Sequence, residues 1–266
     1  MLIISLFLSQ AFFASNAIAQ SRLPDIPPDI PYVLVDAATN EVLAQNRLHE
    51  RWHPASLTKL MTAYVTFRAI EFGEITAGSP VTMTSAATKA PPSKMGYKKG
   101  TQLRFDMALR ILIVKSANDV AVALAESLAG NVEAFVTRMN LEAKRLGLEN
   151  TQFTNANGLH SKSQYVSARD MVILSSAIWN EFPQYRSIFE TPTIQTSKRK
   201  YTSYNLLLER FDGTTGMKTG FVCASGYNIV ASVERGGRRL VAVILGANSQ
   251  TERAEVAARL FLKGFS

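Results

Sequence analysis

A serine and a lysine three residues apart, Ser56 and Lys59, form the pattern best suited to chemistry. They follow Pro54 and Ala55, in a run without Gly or Pro whose apolar residues have helical spacing. This predicts a helix with one buried face, starting at or near Ser56 and continuing to about Ile70. On such a helix the two side chains share one face, with the hydroxyl near the positive end of the helix dipole. The pattern therefore predicts a nucleophile beside a candidate base.

Two further motifs lie where predicted elements end. Ser116 and Asn118 fall between two predicted helices, where a hydroxyl and an amide can point out of a turn into a cleft. Lys218, Thr219 and Gly220 fall on a predicted C-terminal strand, where the glycine leaves room for the backbone of a ligand. Both motifs are therefore candidates for binding or catalysis.

Each short motif is weak evidence by itself. Ser-x-x-Lys recurs at residues 197–200, in a polar and basic run that we interpret as solvated surface, and Ser-x-Asn recurs at residues 203–205. His49 and His53 also match the H-E-x-x-H pattern of zinc peptidases. Because Pro54 disfavours helix at His53, we interpret that segment as a loop, and a metalloprotease is the less favoured alternative.

Ser-x-x-Lys, then Ser-x-Asn, then Lys-Thr-Gly is the motif set of penicillin-binding proteins and class A β-lactamases. With residues 155–159, 167–171 and 225–228, the set makes residues 32–265 resemble the low-molecular-mass serine D-alanyl-D-alanine carboxypeptidases. The resemblance implies cleavage of peptidoglycan stem peptides ending in D-Ala-D-Ala through an acyl-enzyme on Ser56. It also implies covalent inhibition by β-lactams, and neither a cofactor nor a metal.

The requirements of amide cleavage by a serine assign the catalytic roles. Ser56 becomes a nucleophile when a base takes its proton, and Lys59 is a base only when it is neutral. Burial and the nearby charge of Lys218 would both lower the Lys59 pKa. Ser116 is placed to pass a proton between Lys59 and the leaving amine. We therefore expect Ser56, Lys59 and Ser116 to be the catalytic residues.

Other residues are expected to bind the substrate. The Asn118 amide can hold the substrate backbone and the Lys59 ammonium. Lys218 and Thr219 would bind the free carboxylate of a terminal D-alanine. The strand from Lys218, where Gly220 leaves space, can pair with the substrate as an added strand.

The resemblance also implies an oxyanion hole, and the chain departs from the family pattern at two positions. The backbone N–H groups of Ser56 and Phe221 would form the hole. Ala117 stands where relatives often have Gly or Asp, and a small side chain should not block the turn. Val222 stands where many relatives have Thr, so one contact to a carboxylate or a β-lactam is in doubt.

The N-terminal segment has the pattern of an exported protein. Residues 1–14 are apolar and lead into an A-x-A site, which predicts a signal peptide over residues 1–19; an uncleaved anchor is the alternative. Residues 20–31 contain four prolines and are expected to form an extended linker. Residues 32–266 are expected to form the peptidase domain, without the second domain and amphipathic tail of many relatives. We therefore expect a soluble enzyme of the periplasm or cell-wall space.

Composition narrows the class of protein further. The 266 residues are 47% hydrophobic and carry a formal net charge of +8. The basic residues are spread along the chain without a nucleic-acid-binding motif, so we expect no nucleic-acid partner. A single cysteine cannot form an internal disulfide, so the fold must depend on its core. No second long apolar run occurs, so we expect no integral membrane segment in the mature chain.

The order of predicted elements favours an α+β fold. The predicted strands cover residues 32–36, 42–45, 81–83, 191–196, 215–220, 227–233 and 240–246. The predicted helices after the first cover 105–114, a segment from an Asn118 or Asp119 cap to Leu128, and segments capped by Asn131, Ser167 and Ser249 that end near 146, 180 and 263. Residues 78–101 are expected to be mostly loop. Strands at both ends suggest an antiparallel sheet with neighbouring N- and C-terminal strands and helices on both sides, and the resemblance implies the β-lactamase/transpeptidase-like form.

Three alternatives use the same residues. A β-lactamase needs fast deacylation, and the E-x-x-L-N motif that class A enzymes use for it does not occur here. A D,D-endopeptidase acting on cross-links would need the same residues as a carboxypeptidase. A catalytically silent penicillin sensor is opposed by the fact that every reactive position is filled.

Overall fold

The computed structural model describes residues 26–196 and 199–266. The predicted signal peptide over residues 1–19 and residues 20–25 of the predicted linker lie outside the described residues. Ser197 and Lys198 of the second Ser-x-x-Lys pattern also lie outside them. These parts of the sequence interpretation stay predictions.

The helices and strands extend through the whole described part of the chain. The strands are β1 (Tyr32–Asp36), β2 (Val42–Asn46), β3 (Pro80–Thr82), β4 (Gln102–Arg104), β5 (Thr193–Gln195), β6 (Lys200–Thr202), β7 (Thr214–Val222), β8 (Gly226–Arg235) and β9 (Arg238–Ala247). The helices are α1 (Thr58–Glu71), α2 (Ser85–Lys89), α3 (Phe105–Val114), α4 (Asn118–Ala129), α5 (Val132–Arg145), α6 (Ala168–Glu181), α7 (Arg186–Glu190), α8 (Leu207–Arg210) and α9 (Gln250–Phe265). Short 3-10 turns, Ala55–Leu57 and Pro183–Tyr185, precede α1 and α7.

The main sheet has five antiparallel strands in the order β2-β1-β9-β8-β7. The N-terminal strand β1 pairs with the C-terminal strand β9, with Tyr32 opposite Ile244. Among the described residues, β7 is the last strand of the sheet and pairs there only with β8, with Lys218 opposite Val230. The predicted antiparallel sheet with neighbouring terminal strands is therefore confirmed.

The two faces of the sheet support two cores, because successive strand side chains point to opposite sides. Val33 and Val35 belong to the larger core, which α1 and α3 to α6 complete. Leu34 and Ile244 belong to the smaller core, where Phe261 of α9 packs on the other face. Helices cover both sides of the sheet, as expected for the α+β class.

The first helix differs from its prediction in two ways. Ser56 lies in the 3-10 turn Ala55–Leu57, and the α-helix itself begins at Thr58. The helix is buried on almost every side, because α3, α4, α5 and α6 all pack against it. The predicted single buried face is therefore wrong, and polar residues such as Lys59 and Thr62 lie inside the protein.

Helix caps show which local predictions were correct. The side chains of Asn131, Ser167 and Ser249 accept hydrogen bonds from the first turns of α5, α6 and α9, as predicted. The predicted cap of α4 is wrong, because Ala117 occupies that position and Asn118 is the first helical residue. The polar side chains after Ser116 make tertiary contacts instead, and these contacts build the site described below.

The loop-dominated segment and the basic run also contain short elements that the sequence did not indicate. α2 lies within residues 78–101 and β4 directly follows them, where only β3 was predicted. β6 begins at Lys200, inside the run interpreted as solvated surface, and pairs with β5. Such short elements have too few residues to show a periodicity.

Within the described residues, no single helix is both long enough and apolar enough to cross a membrane. Only α4 and α5 taken together meet those criteria, and they are bent by 86° where they join.

Candidate active site

Ser56 lies in the 3-10 turn just before α1, next to a strained residue. Ala55, which begins the 3-10 turn, has a φ of +49°, a left-handed value that is costly for a residue with a side chain. Lys59 follows one turn later and is completely buried. Its Nζ lies 3.0 Å from Oγ of Ser56. The structure therefore brings the first two candidate residues into contact.

Two oxygen atoms fix the position of the Lys59 amine. Nζ donates to Oδ1 of Asn118, 2.8 Å away, and to the backbone carbonyl of Asn157. The Asn118 amide is itself oriented, because its Nδ2 donates to the carbonyls of Pro91 and Pro92 at 3.0 and 3.1 Å. The oxygen of this amide must therefore face the lysine.

Lys218 reaches the same place from the edge strand β7. Its Nζ donates to Oγ of Ser116 and to the carbonyl of Thr219, both at 3.0 Å. Ser116 lies between α3 and α4 with a φ of +59°, a left-handed conformation that costs a non-glycine residue about 1–3 kcal/mol. All three motifs found in the sequence thus meet at one place.

Burial and charge set the protonation of the two lysines. Burial, and next the charge of Lys218, hold the pKa of Lys59 well below its usual value, while the Asp119 carboxylate acts in the opposite direction. Burial also lowers the pKa of Lys218 to about 7, and the charge of Arg253 adds to this. The sequence predicted a lowered pKa for Lys59, and the structure agrees with that prediction. This environment therefore favours the uncharged form of Lys59.

A cleft of about 680 Å³ opens over these groups. The candidate residues in its lining are Ser56, Ser116, Asn118, Thr219, Gly220 and Phe221, and Val222 also lines it. Lys59 and Lys218 are buried behind them, with at most 2% of each residue exposed. The Phe221 side chain, by contrast, is 47% exposed at the edge of the cleft.

Two glycines allow neighbouring segments to pack closely against the turn at Ser56. A Cβ on Gly220 would lie 2.9 Å from the Pro54 carbonyl oxygen and 3.0 Å from the backbone N of Ser56. A Cβ on Gly158, which has a φ of +84°, would overlap the carbonyl of Ala55. β7 and the turn at Gly158 therefore pack directly against the backbone around the serine.

Sequence reasoning missed Arg253, which lies on α9. This guanidinium is buried and donates to the carbonyls of Gly220, Asn228 and Tyr204, at 3.4, 3.3 and 3.0 Å. Burial lowers its pKa to about 10. An arginine in a closing helix carries no motif, so only the tertiary structure identifies it as part of the cleft.

Asp119 was one of the two residues expected to cap α4, and its role in the structure is different. Its carboxylate accepts hydrogen bonds from the backbone N–H groups of Met95 and Gly96, at 3.0 and 2.9 Å. The backbone N–H of Asn118 donates to the carbonyl of Ser93 at 2.6 Å. These contacts hold the segment before β4 over the start of α4, and so over the cleft.

The H-E-x-x-H segment does not form the geometry of a zinc peptidase. His49 lies in a turn and His53 in a segment without regular secondary structure, so the two do not share a helical face. His53 instead packs edge-on against His160, with 4.7 Å between the ring centres, and its Nδ1 contacts the carbonyl of Gln164. Among the described residues, no group of three or more His, Cys, Asp or Glu could hold a metal ion.

Comparisons with known proteins agree with this geometry. A family model described as D-alanyl-D-alanine carboxypeptidase, Peptidase_S11, matches residues 23–249. The chain is 34% identical over 262 residues to the D-alanyl-D-alanine carboxypeptidase DacC of Escherichia coli K12. That alignment covers 95% of this chain and 66% of DacC. The chain thus spans about two thirds of the length of this relative.

Solved structures show the same fold. Penicillin binding protein 5 from Haemophilus influenzae superposes with a TM-score of 0.86 at 37% identity, over 90% of this chain and 72% of that one. Penicillin-Binding Protein D2 from Listeria monocytogenes, in a cefotaxime-bound form, superposes with a TM-score of 0.81 at 28% identity, over 89% of this chain and 96% of that one. On the family match, the sequence identity and the shared fold, the chain belongs to the Peptidase_S11 family of D-alanyl-D-alanine carboxypeptidases.

Proposed function

We propose that this chain is an exported serine D,D-carboxypeptidase that removes the terminal D-alanine from peptidoglycan stem peptides. The observation that carries the proposal is the set of contacts around the buried Lys59 amine. Oδ1 of Asn118 and the carbonyl of Asn157 can only accept hydrogen bonds. A neutral amine has two N–H donors and one lone pair. If those oxygens take both donors, the lone pair faces Oγ of Ser56, 3.0 Å away.

This arrangement suits Lys59 to act as a general base in acylation. The Ser56 proton moves to Nζ as Oγ attacks the carbonyl carbon of the penultimate D-alanine. Ser116, which contacts Lys218, relays the proton to the nitrogen of the terminal D-alanine. The C–N bond then breaks, free D-alanine leaves, and an ester on Ser56 remains.

Hydrolysis of that ester returns the enzyme to its starting state. Lys59 is neutral again after the proton has left with D-alanine, so it can take a proton from a water molecule. The water attacks the ester carbonyl, and Ser56 leaves with that proton. One base therefore serves both half-reactions.

The cations on the sheet side of the cleft select a substrate with a free C-terminus. Lys218 and Thr219 are proposed to bind the carboxylate of the terminal D-alanine, and Arg253 adds positive charge beside them. A bound carboxylate would raise the pKa of Lys218 from about 7 and so keep that ammonium charged. Such a charge-assisted contact contributes about 1.5–3 kcal/mol.

The oxyanion hole is proposed to consist of the backbone N–H groups of Ser56 and Phe221. Its support is the close approach of β7 to the serine turn, where a Cβ on Gly220 would be 3.0 Å from the Ser56 nitrogen. Donors fixed in this way stabilise the charge that develops on the carbonyl oxygen. Removing one such donor typically costs about 10²–10³ in rate.

The same site is proposed to react with β-lactams, as the cefotaxime-bound form of the Listeria relative suggests. Fast hydrolysis of that adduct, as in a β-lactamase, is less well supported. No carboxylate is present among the described residues that line the cleft, so none is available there to activate water.

The proposed location outside the cytoplasm rests on the apolar N-terminal segment of residues 1–19.

Two measurements on one sample test the proposed function. The intact mass is followed after addition of benzylpenicillin, and D-alanine release is measured with diacetyl-Lys-D-Ala-D-Ala. A carboxypeptidase forms a lasting adduct and releases D-alanine. Acylation without any release would favour the silent sensor, and rapid return to the free mass would favour a β-lactamase.

A further inference from the structure

Tyr204 connects the two walls of the cleft. Its backbone carbonyl accepts hydrogen bonds from Arg253 at 3.0 Å and from Gln250 at 3.2 Å, both on α9. Its hydroxyl accepts a hydrogen bond of 3.1 Å from Nζ of Lys115, which directly follows α3. Contacts to its backbone therefore join this residue to α9, while its side chain reaches the residue that follows α3. We call the contact between the two side chains the Lys115–Tyr204 bridge.

Neighbouring residues reinforce the Lys115–Tyr204 bridge. Nζ of Lys115 lies 5.5 Å from the ring centre of Tyr204 and 5.6 Å from that of Tyr201, within the range of cation–π attraction. Burial raises the pKa of Tyr204, but hydrogen bonds from Lys115 and Ser93 and the Lys115 charge outweigh it, so that this pKa is lowered. The Ser93 hydroxyl also contacts the carbonyl of Lys115 at 3.2 Å. The bridge is therefore held from several directions although Tyr204 is 41% exposed.

The bridge is connected to the residues that are proposed to handle the leaving group. Lys115 directly precedes Ser116, the proposed proton donor to the leaving amine. Arg253, which holds the Tyr204 carbonyl, is also the cation whose charge lowers the Lys218 pKa. Lys115, Tyr204 and Arg253 all line the same cleft as Ser56. A leaving amino acid bound through its carboxylate at Lys218 would therefore have the bridge as its neighbour.

Carboxypeptidase and endopeptidase reactions differ only in what this end of the cleft must hold. In both, Ser56 attacks the same D-alanine carbonyl, the amide C–N bond breaks, and the leaving amine takes a proton. In the first, the leaving amino acid has only a methyl side chain. In the second, the leaving amine belongs to a residue of another stem peptide, so the leaving group includes that whole peptide. A steric barrier on the leaving-group side would therefore permit the carboxypeptidase reaction and hinder the endopeptidase reaction, although the same catalytic residues perform both.

We propose that the Lys115–Tyr204 bridge limits the leaving group to an amino acid about as small as D-alanine, which makes the enzyme a carboxypeptidase in preference to an endopeptidase on cross-linked peptides. This inference rests on the proposed function of the same site. It assigns the choice between the two reactions to one side-chain contact across the cleft.

The test compares two leaving groups in the wild type and four variants. The substrates are diacetyl-Lys-D-Ala-D-Ala and the same peptide ending in D-norleucine, whose longer side chain is uncharged. Tyr204→Ala removes the wall, Lys115→Ala removes the other half of the bridge, and Tyr204→Phe keeps the ring. Tyr201→Ala is the matched control, because this tyrosine contacts the same lysine but does not line the cleft.

The measured quantity is the ratio of kcat/KM for the two peptides. We expect the wild type to prefer D-alanine, and both bridge-removing alanine variants to shift the ratio toward D-norleucine by about tenfold or more. Tyr204→Phe should shift it less, and Tyr201→Ala should not shift it. The alanine variants should also gain activity on a cross-linked peptide dimer.

Several results would overturn the inference. An unchanged ratio in Tyr204→Ala, with benzylpenicillin acylation showing an intact site, would do so. If that variant does not fold, an unchanged ratio in Lys115→Ala would overturn it equally. An equal shift in Tyr201→Ala would assign the effect to the surroundings of the lysine and would also refute it. Wild-type protein that releases no amino acid from either peptide would instead overturn the proposed function itself.

Discussion

Replacing Gly220 by alanine should displace the serine turn by steric contact, without any contribution from backbone strain. Gly220 has no left-handed φ, so the substitution adds no backbone strain. Its new Cβ would, however, lie 2.9 Å from the Pro54 carbonyl oxygen and 3.0 Å from the Ser56 nitrogen. Carbon contacts are favourable at about 3.5–4.0 Å, so β7 and the turn must separate by about 0.5 Å or more.

The expected effects follow from that displacement. A 1 Å misplacement can cost about 10² in rate, so we expect acylation of Gly220→Ala by benzylpenicillin to slow about tenfold or more. Crowding of this kind should also lower the free energy of unfolding by about 1–3 kcal/mol. The assays are adduct formation by intact mass against time and thermal denaturation.

A matched control separates crowding from the general effect of a Gly→Ala change. Gly78 also lacks a left-handed φ, and the nearest atom to its added Cβ is 3.8 Å away. Gly78→Ala should therefore acylate and melt as the wild type does. Wild-type acylation and an unchanged Tm in Gly220→Ala would refute the reasoning about the close approach of β7.

Four further predictions concern charge at the site. Lys59→Arg should slow acylation by at least about 10²-fold, because a guanidinium stays charged and cannot act as a base. Since the pKa of Lys59 is lowered, the acylation rate should fall only as the pH drops through that lowered value. KM for a substrate with a free carboxylate should rise as the pH increases through about 7, where Lys218 loses its charge, and a C-terminal amide should show no such rise. Asp119→Asn should lower the free energy of unfolding by about 1–3 kcal/mol, measured by denaturation, because its carboxylate accepts from the backbone of residues 95–96.

Each of these predictions has a contradicting result. Fast acylation of Lys59→Arg, or a wild-type acylation rate that does not fall as the pH is lowered, would exclude this residue as the base. The same alkaline rise in KM for the acid and the amide would show that Lys218 does not bind the carboxylate. An unchanged unfolding transition in Asp119→Asn would show that the carboxylate does not stabilise the segment before β4.

Local signals in the sequence were reliable where the structure itself is local. The helix Phe105–Val114 matches its predicted bounds, and Ser167 caps α6 as expected, because apolar spacing and a cap involve only nearby residues. The three motifs could be found for a similar reason. Ser56, Ser116 and Lys218 each occur in a short pattern of specific side chains, although they are far apart in the chain.

Contacts between distant segments could not be predicted in the same way. Asparagine commonly caps helices, but the amide of Asn118 bonds to Lys59 and to two proline carbonyls. Tertiary contacts therefore outweighed the local preference for a capping position. The carbonyl of Asn157 and the guanidinium of Arg253 reach the site only through folding. No spacing along the chain indicates them.

The proposed mechanism depends on Ser56 as the nucleophile that Lys59 activates, and a comparison of wild type with Ser56→Ala tests this dependence. Both proteins are treated with benzylpenicillin, their intact masses are recorded, and the adduct is located by peptide mapping. Their Tm values are compared to verify that both are folded. We expect one adduct on the wild type, in the peptide that contains Ser56, and none on the variant, which also releases no D-alanine. Acylation of the variant at the wild-type rate, or an adduct on another residue, would show that Ser56 is not the nucleophile.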